Sequence, residues 1–316
     1  MYSIETLIKT IKTYKPEMTK EEDFESFWTS TLEESAQVPL QPILIEIDYP
    51  IEQIRAFHVT YQGFGGTLIK GYYMVPKERN QELPCIITFH GYGGNKSSVS
   101  NYLKWLIQGI AVFAVDCRGH GESGDDSLYS SGSAGTWATQ GLLDKNEYYY
   151  RKVYMDSKRA IDFVFTRPEI DHHRVCLLGA SMGGGIALAV AALDQRPKLV
   201  VADVPNMCNL ELAIQQKFEG SLVKIEEYLS RFPEKSAQVF QTLSYFDNLN
   251  LASKITSKVR LTAALKDLIC PPQTIYGVYN HIHSDKSIIA YPFSGHDAPG
   301  ISSHIDATIQ FIKEHL

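Results

Sequence analysis

The pentapeptide GASMG at 179–183 places Ser181 between two glycines, in the pattern G-x-S-x-G. It follows the apolar run VCLL at 175–178, which predicts a strand, and it opens the apolar segment 182–193, which predicts a helix. Composition alone yields this pattern in about one 300-residue chain in ten. A strand, this turn and a helix in succession are more specific, because they predict a strained turn that exposes a nucleophilic serine.

The rest of the chain alternates apolar runs with helical segments, which predicts a mostly parallel, doubly wound sheet with crossover helices. The runs are nearly continuous, as strands covered on both faces are. They lie at 84–89, 110–115, 175–178, 199–202, 259–265 and 287–291. Helical spacing of apolar residues is seen over 148–166 and 182–193.

Two regions fall outside this alternation. Residues 1–55 are predicted to form an N-terminal extension, largely polar and helical, in which Thr19 and Glu22 have the spacing of a capping box. Alternating runs near 56–60 and 67–74 then predict antiparallel edge strands. Residues 206–250 carry several amphipathic helical stretches, and we expect them to form a helical cap insertion over the carboxyl ends of the strands.

A serine hydroxyl needs a base and a group that orients the base. His296 follows the last strand run and precedes a C-terminal helix, where a base is expected. Asp267 ends the preceding strand run and is the preferred acid of the triad. Asp203, which also ends a strand run, is the alternative. Asp285 is interpreted as a solvated loop residue. The order Ser181, Asp267, His296 is that of the α/β-hydrolase fold.

Two backbone amides are expected to stabilise the negative oxygen that forms when a serine attacks an ester. The residue after the nucleophile supplies one of them, here Met182. The loop HGYGG at 90–94 follows a strand run and supplies the other, with Tyr92 as the expected donor. An ordinary glycine-rich turn is the alternative reading of this loop.

A second glycine pattern, GHGESG at 119–124, matches the dinucleotide motif G-x-G-x-x-G. No helix opens there, and a polar loop follows instead, so the match is interpreted as accidental. Arg118 precedes the pattern and is expected to tie loops together through its fork of donors. No metal or organic cofactor is expected.

Composition restricts the partners and the compartment. Thirty Lys and Arg against 36 Asp and Glu give a net charge of -6, the wrong sign for binding nucleic acid. No apolar stretch reaches the 18 or so residues of a membrane span. The five cysteines are widely spaced, without a CxxC pair, and the N-terminus lacks an apolar signal core, so a cytoplasmic location is expected.

The length allows about two domains of ordinary size. The three candidate catalytic residues lie on both sides of the insertion at 206–250, however, so a cut there would divide one active site. Residues 1–316 are therefore predicted to form a single α/β-hydrolase domain.

Beyond these patterns, the chain resembles carbohydrate esterase family 7, the group of acetyl xylan esterases and cephalosporin C deacetylases. The resemblance covers nearly the whole length. It rests on HGYGG, RGHG, GLLDKNEYYYRKVYMDSKRA, GASMGGG, TLSYFDNLNLA, KDLICPPQTIYGVYNH and GHD. Several of these segments have no general meaning in hydrolases, which makes the resemblance specific.

The resemblance implies a multifunctional deacetylase of small acetylated molecules, commonly assembled as a hexamer around an internal chamber. It implies that Tyr92 leans over the pocket and that Ile269 sits beside the acyl site. It also implies structural support from Arg118 and Asp297. The remaining roles agree with those assigned above: Ser181, Asp267 and His296 as the triad, with the amides of Tyr92 and Met182 as the oxyanion hole.

Three positions depart from the family pattern. Met182 and His120 replace glutamines, and Asp297 replaces a glutamate. Met182 donates through its backbone, so the chemistry is expected to survive. The other two changes bear on the hydrogen-bond network around Arg118 and on substrate choice.

The predicted function is a serine esterase that removes acetyl groups through an acyl-enzyme. The alternatives are a general short-chain carboxylesterase, an acyltransferase or a peptidase on the same fold, and a non-catalytic binding protein. The last would be expected to lack a triad residue, and all three are present.

Overall fold

The structure is a computed structural model that describes residues 4–133, 135–216 and 219–316. The predicted extension and insertion also include residues 1–3 and 217–218, which lie outside the described residues. Within the described part, nine strands form one sheet in the order β1-β2-β3-β5-β4-β6-β7-β8-β9. The strands are β1 Ile43–Ile47, β2 Ile54–Gln62, β3 Leu68–Pro76, β4 Leu83–Phe89, β5 Ala111–Val115, β6 Ile170–Ala180, β7 Leu199–Asp203, β8 Lys258–Ala264 and β9 Lys286–Tyr291.

The helices of the described residues follow the same alternation. They are α1 Ile4–Lys12, α2 Phe24–Gln37, α3 Leu103–Leu106, α4 Tyr149–Phe165, α5 Met182–Leu193, α6 Leu210–Gln216, α7 Val223–Arg231, α8 Ser236–Ser244, α9 Asn248–Leu251, α10 Pro272–Tyr279 and α11 Ser302–His315. Helices α6 to α9 lie between β7 and β8, where the insertion was predicted. None of the helices described combines the length and apolarity that a bilayer crossing requires.

The predicted sheet is confirmed. Strands β4 to β9 pair in parallel, while β1, β2 and β3 extend the sheet antiparallel beside β5. Every residue of β5 and β7 is buried, as their continuous apolar composition predicted. Helices α4 and α5 cover one face of the sheet, and α3 and α11 cover the other.

Two local features differ from the predictions. Strand β1 was not predicted, since it lies within the polar extension and exposes Ile43 and Ile45 at the sheet edge. The capping box was wrong: α2 begins at Phe24, and Thr19 instead exchanges hydrogen bonds with the Asn250 side chain at 2.9 and 3.0 Å. That partner is 231 residues away in sequence, so local spacing could not reveal it.

Strand register brings the loops of interest to one edge. Phe89 at the end of β4 pairs with Gly179 of β6, so the loop at 90–94 and the turn at Ser181 leave the sheet side by side. Ala264 of β8 likewise pairs with Tyr291 of β9, next to the loops that carry the acid and the base. The carboxyl ends of the parallel strands therefore gather the predicted site residues.

Helix α5 approaches the sheet so closely that two glycines are required. A Cβ on Gly183 would lie 2.6 Å from the carbonyl carbon of Phe89 in β4. A Cβ on Gly179 would lie 2.8 Å from the backbone nitrogen of Gly184. Both separations are shorter than any normal contact, so the G-x-S-x-G spacing is a packing requirement as well as a sequence signature.

We therefore expect Gly183→Ala to lower the free energy of unfolding by at least about 1–3 kcal/mol, because the backbone of β4 must move to admit a methyl group. Gly124→Ala is the matched control, since a Cβ there meets open space. Urea unfolding of both variants measures the difference. Equal stability of the two would contradict the close approach described above.

Candidate active site

Ser181 occupies a strained backbone conformation between β6 and α5, with φ 57° and ψ -123°. Non-glycine residues at positive φ cost on the order of 1–3 kcal/mol, so the surroundings must hold the turn in place. The Ser181 N–H donates to the carbonyl of Asp203 at 2.9 Å. Its carbonyl accepts from the amides of Gly185 at 3.0 Å and Asn206 at 2.9 Å. These three bonds fix the serine from both sides.

Asp267 and His296 form the hydrogen-bonded pair that the sequence favoured. His296 Nδ1 lies 2.8 Å from Asp267 Oδ2. The Asp267 side chain is fully buried, whereas a quarter of the His296 side chain is exposed. Asp267 Oδ1 accepts from the amides of Ile269 and Cys270, each at 2.8 Å. Because the carboxylate holds the proton on Nδ1, the opposite ring nitrogen Nε2 is free to act as a base.

The alternative acid, Asp203, belongs to a different pair. Its Oδ2 lies 3.1 Å from His304 Nε2, and its Oδ1 accepts from the Thr262 hydroxyl at 2.6 Å. Asp285 forms an ion pair with Lys258 at 2.9 Å on the surface, in keeping with its reading as a loop residue. The geometry thus favours Asp267 over Asp203 as the partner of His296.

The loop at 90–94 lies against the serine. A Cβ on Gly91 would lie 3.8 Å from Ser181 Cβ, an ordinary contact distance. His90 fixes the loop: its Nε2 accepts from the Cys117 amide at 3.0 Å, so Nδ1 carries the proton and donates to the Gly91 carbonyl at 2.7 Å. Burial lowers the pKa of His90, which favours this neutral form.

The two predicted oxyanion donors are the residues that directly follow Gly91 and Ser181 in the sequence. Met182 is the first residue of α5, where the backbone N–H has no acceptor within the helix. Tyr92 lies in the adjoining loop and is half-buried. Its ring packs edge-to-face on Trp137 at 5.3 Å between centroids, and its hydroxyl accepts from the Ala138 amide at 3.4 Å.

Arg118 joins several loops beneath the site. Its guanidinium forms a two-pronged ion pair with the buried carboxylate of Asp156, at 2.8 and 2.9 Å. It also donates to the Thr67 and Ser127 hydroxyls at 2.9 Å and to the Phe64 carbonyl at 2.6 Å. A planar fork of donors suits this arrangement, since one side chain connects the turn between β2 and β3, the loop at Ser127 and helix α4.

The departures at His120 and Asp297 leave this network intact. His120 Nδ1 lies 3.0 Å from the Arg118 carbonyl, and its ring stacks on Trp137 at 3.8 Å between centroids. Burial lowers the pKa of His120 to about 4, so the ring is neutral at pH 7. Asp297 is exposed, and its Oδ1 accepts from the Gly295 amide at 3.2 Å. Asp297 therefore stabilises the turn that carries His296.

Ile269 lies against the turn of the insertion that precedes α7. A Cβ on Gly220, which precedes α7, would lie 2.7 Å from Ile269 Cγ2. Gly220 also has a φ of +87°, a conformation that side chains disfavour. The insertion therefore meets the loop of the catalytic acid at this point, beside the residue for which the family resemblance implies acyl contact.

Three residues that support the site were not singled out by the sequence. His90 was quoted only as part of HGYGG, although its position after a strand was a usable signal. Trp137 lies in a polar loop and shows its role only through stacking. His304 bonds both Asp203 and the Tyr291 hydroxyl, the latter at 3.0 Å, and nothing local to its helix indicates this.

Taken together, the site offers a strained serine, an oriented imidazole and backbone donors at one edge of the sheet. This arrangement suits nucleophilic attack on a carbonyl followed by transfer of the acyl group to water.

Comparison with known proteins agrees with this chemistry. The profile of the family described as Acetyl xylan esterase (AXE1) matches residues 1–315. The chain is 27% identical over 291 residues to acetyl esterase Axe7A of Xylanibacter ruminicola. That match covers 89% of this chain and 65% of the relative, so the chain spans about two thirds of the relative's length.

Two solved structures are similar over almost their full lengths. An acetyl xylan esterase from Paenibacillus sp. R4 is 39% identical, with a TM-score of 0.94 over 98% of this chain and 99% of that one. Acetyl xylan esterase 1 from Thermoanaerobacterium sp. JW/SL YS485 is 29% identical, with a TM-score of 0.91 over 97% and 98%. The predicted α/β-hydrolase fold is confirmed, and the chain belongs to the acetyl xylan esterase family.

Proposed function

We propose that the chain is a serine esterase that removes acetyl groups from small acetylated substrates through an acyl-enzyme. The substrate class comprises acetylated xylo-oligosaccharides and sugars, and acetyl esters of the cephalosporin C type. The observation that carries the proposal is the pair formed by His296 and the buried Asp267, at the same sheet edge as the strained Ser181. Membership of a family of carboxylic ester hydrolases supports it.

The first half of the reaction transfers the acetyl group to the enzyme. Ser181 Oγ attacks the ester carbonyl while His296 Nε2 takes the hydroxyl proton. The amides of Tyr92 and Met182 hold the tetrahedral oxyanion. When the intermediate collapses, the carbon–oxygen bond to the alcohol breaks and His296 returns the proton to the leaving oxygen.

The second half releases acetate. His296 removes a proton from a water molecule, whose oxygen attacks the acetyl carbonyl, and the same two amides stabilise the second oxyanion. The bond to Ser181 Oγ then breaks, and the serine recovers its proton from His296. Asp267 stays ionised throughout and stabilises the imidazolium formed in each half.

We also propose a cytoplasmic location and a homohexameric assembly. All five cysteines lie within the described residues and are buried thiols, which suits a reducing compartment. The hexamer rests on the family resemblance, and exposed Ile43 and Ile45 on β1 and Leu68 on β3 offer apolar surface for contacts between copies. Light scattering should give six times the protomer mass of 35.5 kDa; a monomer at working concentration would contradict the assembly.

Ser181→Ala should lower kcat for 4-nitrophenyl acetate on the order of 10⁶-fold, because no other group in the proposed mechanism receives the acetyl group. Ser26→Ala, an exposed serine on α2, is the matched control and should retain full activity. Circular dichroism checks that both variants fold. Turnover by Ser181→Ala near the wild-type rate would rule out the assignment.

The rate should also fall steeply as the acyl chain lengthens from acetyl to butyryl, since the family resemblance places Ile269 beside the acyl site and Gly220 of the insertion packs closely against that side chain. Ile269→Ala should raise the ratio of butyrate to acetate kcat/KM by at least about tenfold, in line with the effect of a methylene on pocket fit. The backbone N–H that donates to Asp267 is unchanged by the substitution.

Leu268→Ala is the matched control for this test, because the adjacent side chain is 49% exposed. A flat chain-length profile for the wild type would favour the general carboxylesterase instead. An equal change of the butyrate-to-acetate ratio in Ile269→Ala and Leu268→Ala would contradict the placement of Ile269 beside the acyl site.

A further inference from the structure

A cysteine thiol lies against the pair formed by Asp267 and His296. Cys270 is 2% exposed, and its amide donates to Asp267 Oδ1 at 2.8 Å, so the chain turns back toward the carboxylate. As a result, one ligand atom from each of the three side chains lies within 4.8 Å of the other two. The mechanism uses the carboxylate and the imidazole but has no role for the thiol.

Sulfur, imidazole nitrogen and carboxylate oxygen form a donor set that Zn²⁺ prefers. With zinc–ligand bonds of about 2.0–2.3 Å, tetrahedral ligands lie roughly 3.2–3.6 Å apart. His296 Nδ1 and Asp267 Oδ2, at 2.8 Å, would separate slightly to admit the ion. No pair of these ligand atoms is more than 4.8 Å apart, so the widest pair would need to approach by little more than about 1 Å to reach the tetrahedral spacing.

We propose that the chain has an inhibitory zinc site formed by Asp267 Oδ2, Cys270 Sγ and His296 Nδ1, with water as the fourth ligand. This inference rests on the proposed function, because the ion inhibits by occupying the catalytic pair. Hard cations such as Mg²⁺ prefer all-oxygen sites and do not compete for a thiolate.

The proton balance explains the inhibition. Cys270 releases its thiol proton to solvent when the sulfur binds the ion. The imidazole proton leaves Nδ1, and Nε2 becomes protonated in its place, so the ring stays neutral. Nε2 then has no lone pair to accept the serine proton, and Ser181 is no longer activated. No oxidation or reduction takes place.

The test is a titration of 4-nitrophenyl acetate hydrolysis with ZnCl₂ on the full chain, with EDTA to reverse the effect and MgCl₂ as the hard-ion comparison. We expect inhibition by zinc at a 1:1 stoichiometry, full reversal, and no effect of magnesium. Mutation of a residue that only hydrogen-bonds to a metal ligand changes the affinity for the metal about 10–100-fold. Loss of a ligand should have at least this effect, so Cys270→Ala should raise the inhibition constant for zinc by at least about tenfold.

Cys176→Ala is the matched control, because it removes a buried thiol in the middle of β6 and should leave the inhibition constant unchanged. Each variant is compared with its own uninhibited rate. If Cys270→Ala does not fold, Cys270→Ser provides the weaker ligand. Co²⁺ gives a second readout: a thiolate-to-cobalt absorption band should form in the wild type and be missing in the Cys270 variant.

Zinc inhibition that is equal in the wild type and the Cys270 variant would overturn the site, as would a cobalt complex without a thiolate band. An enzyme that hydrolyses the ester and ignores zinc would also overturn it, while leaving the proposed function in place. A chain with no Ser181-dependent hydrolysis would instead refute the proposed function itself.

Discussion

The active site depends on how closely helix α5 approaches the ends of β4 and β6. Gly179 and Gly183 allow the backbones to meet, and the chain between them then has room only for a sharp turn at Ser181. The same approach brings the loop at 90–94 beside the serine, which Met182 at the start of α5 follows directly. One packing constraint therefore sets the nucleophile and both proposed oxyanion donors.

The strain of that turn is balanced by hydrogen bonds from neighbouring strands. Asp203 accepts the Ser181 amide through its backbone, while its side chain is held by His304 and Thr262. The second aspartate–histidine pair thus supports the nucleophile from β7, β8 and α11. The first pair, Asp267 with His296, is left to supply the base. The two pairs serve different purposes, because the imidazole of His296 is partly exposed whereas that of His304 is buried.

Electrostatics around the site keep nearby groups neutral or paired. Burial lowers the pKa values of His90 and His120, so both rings remain uncharged at pH 7 and hold their loops through directed hydrogen bonds. Arg118 carries a buried positive charge, which the carboxylate of Asp156 matches directly. Removing either partner would leave an unpaired buried charge, so the loops around the serine depend on both.

The sequence predicted the parts of the fold that depend on local patterns. Continuous apolar runs located the parallel strands, and GASMG located the serine turn. It could not locate β1, whose exposed isoleucines look like neither a buried nor an alternating strand. It misread Thr19, whose partner Asn250 is distant in sequence. It left Asp203 as an alternative acid because both aspartates end apolar runs in the sequence, and only the folded positions of His296 and His304 separate them. The single domain over 1–316 stays a prediction.

In the proposed mechanism Ser181 carries the acetyl group during turnover. Rapid acid quenching during hydrolysis of 4-nitrophenyl acetate, followed by digestion and mass spectrometry, tests this directly. We expect one added acetyl group per active chain, on the peptide that contains Ser181, formed at the rate of the initial burst. Full turnover with no acetylated Ser181 peptide, or acetylation confined to another residue, would contradict it.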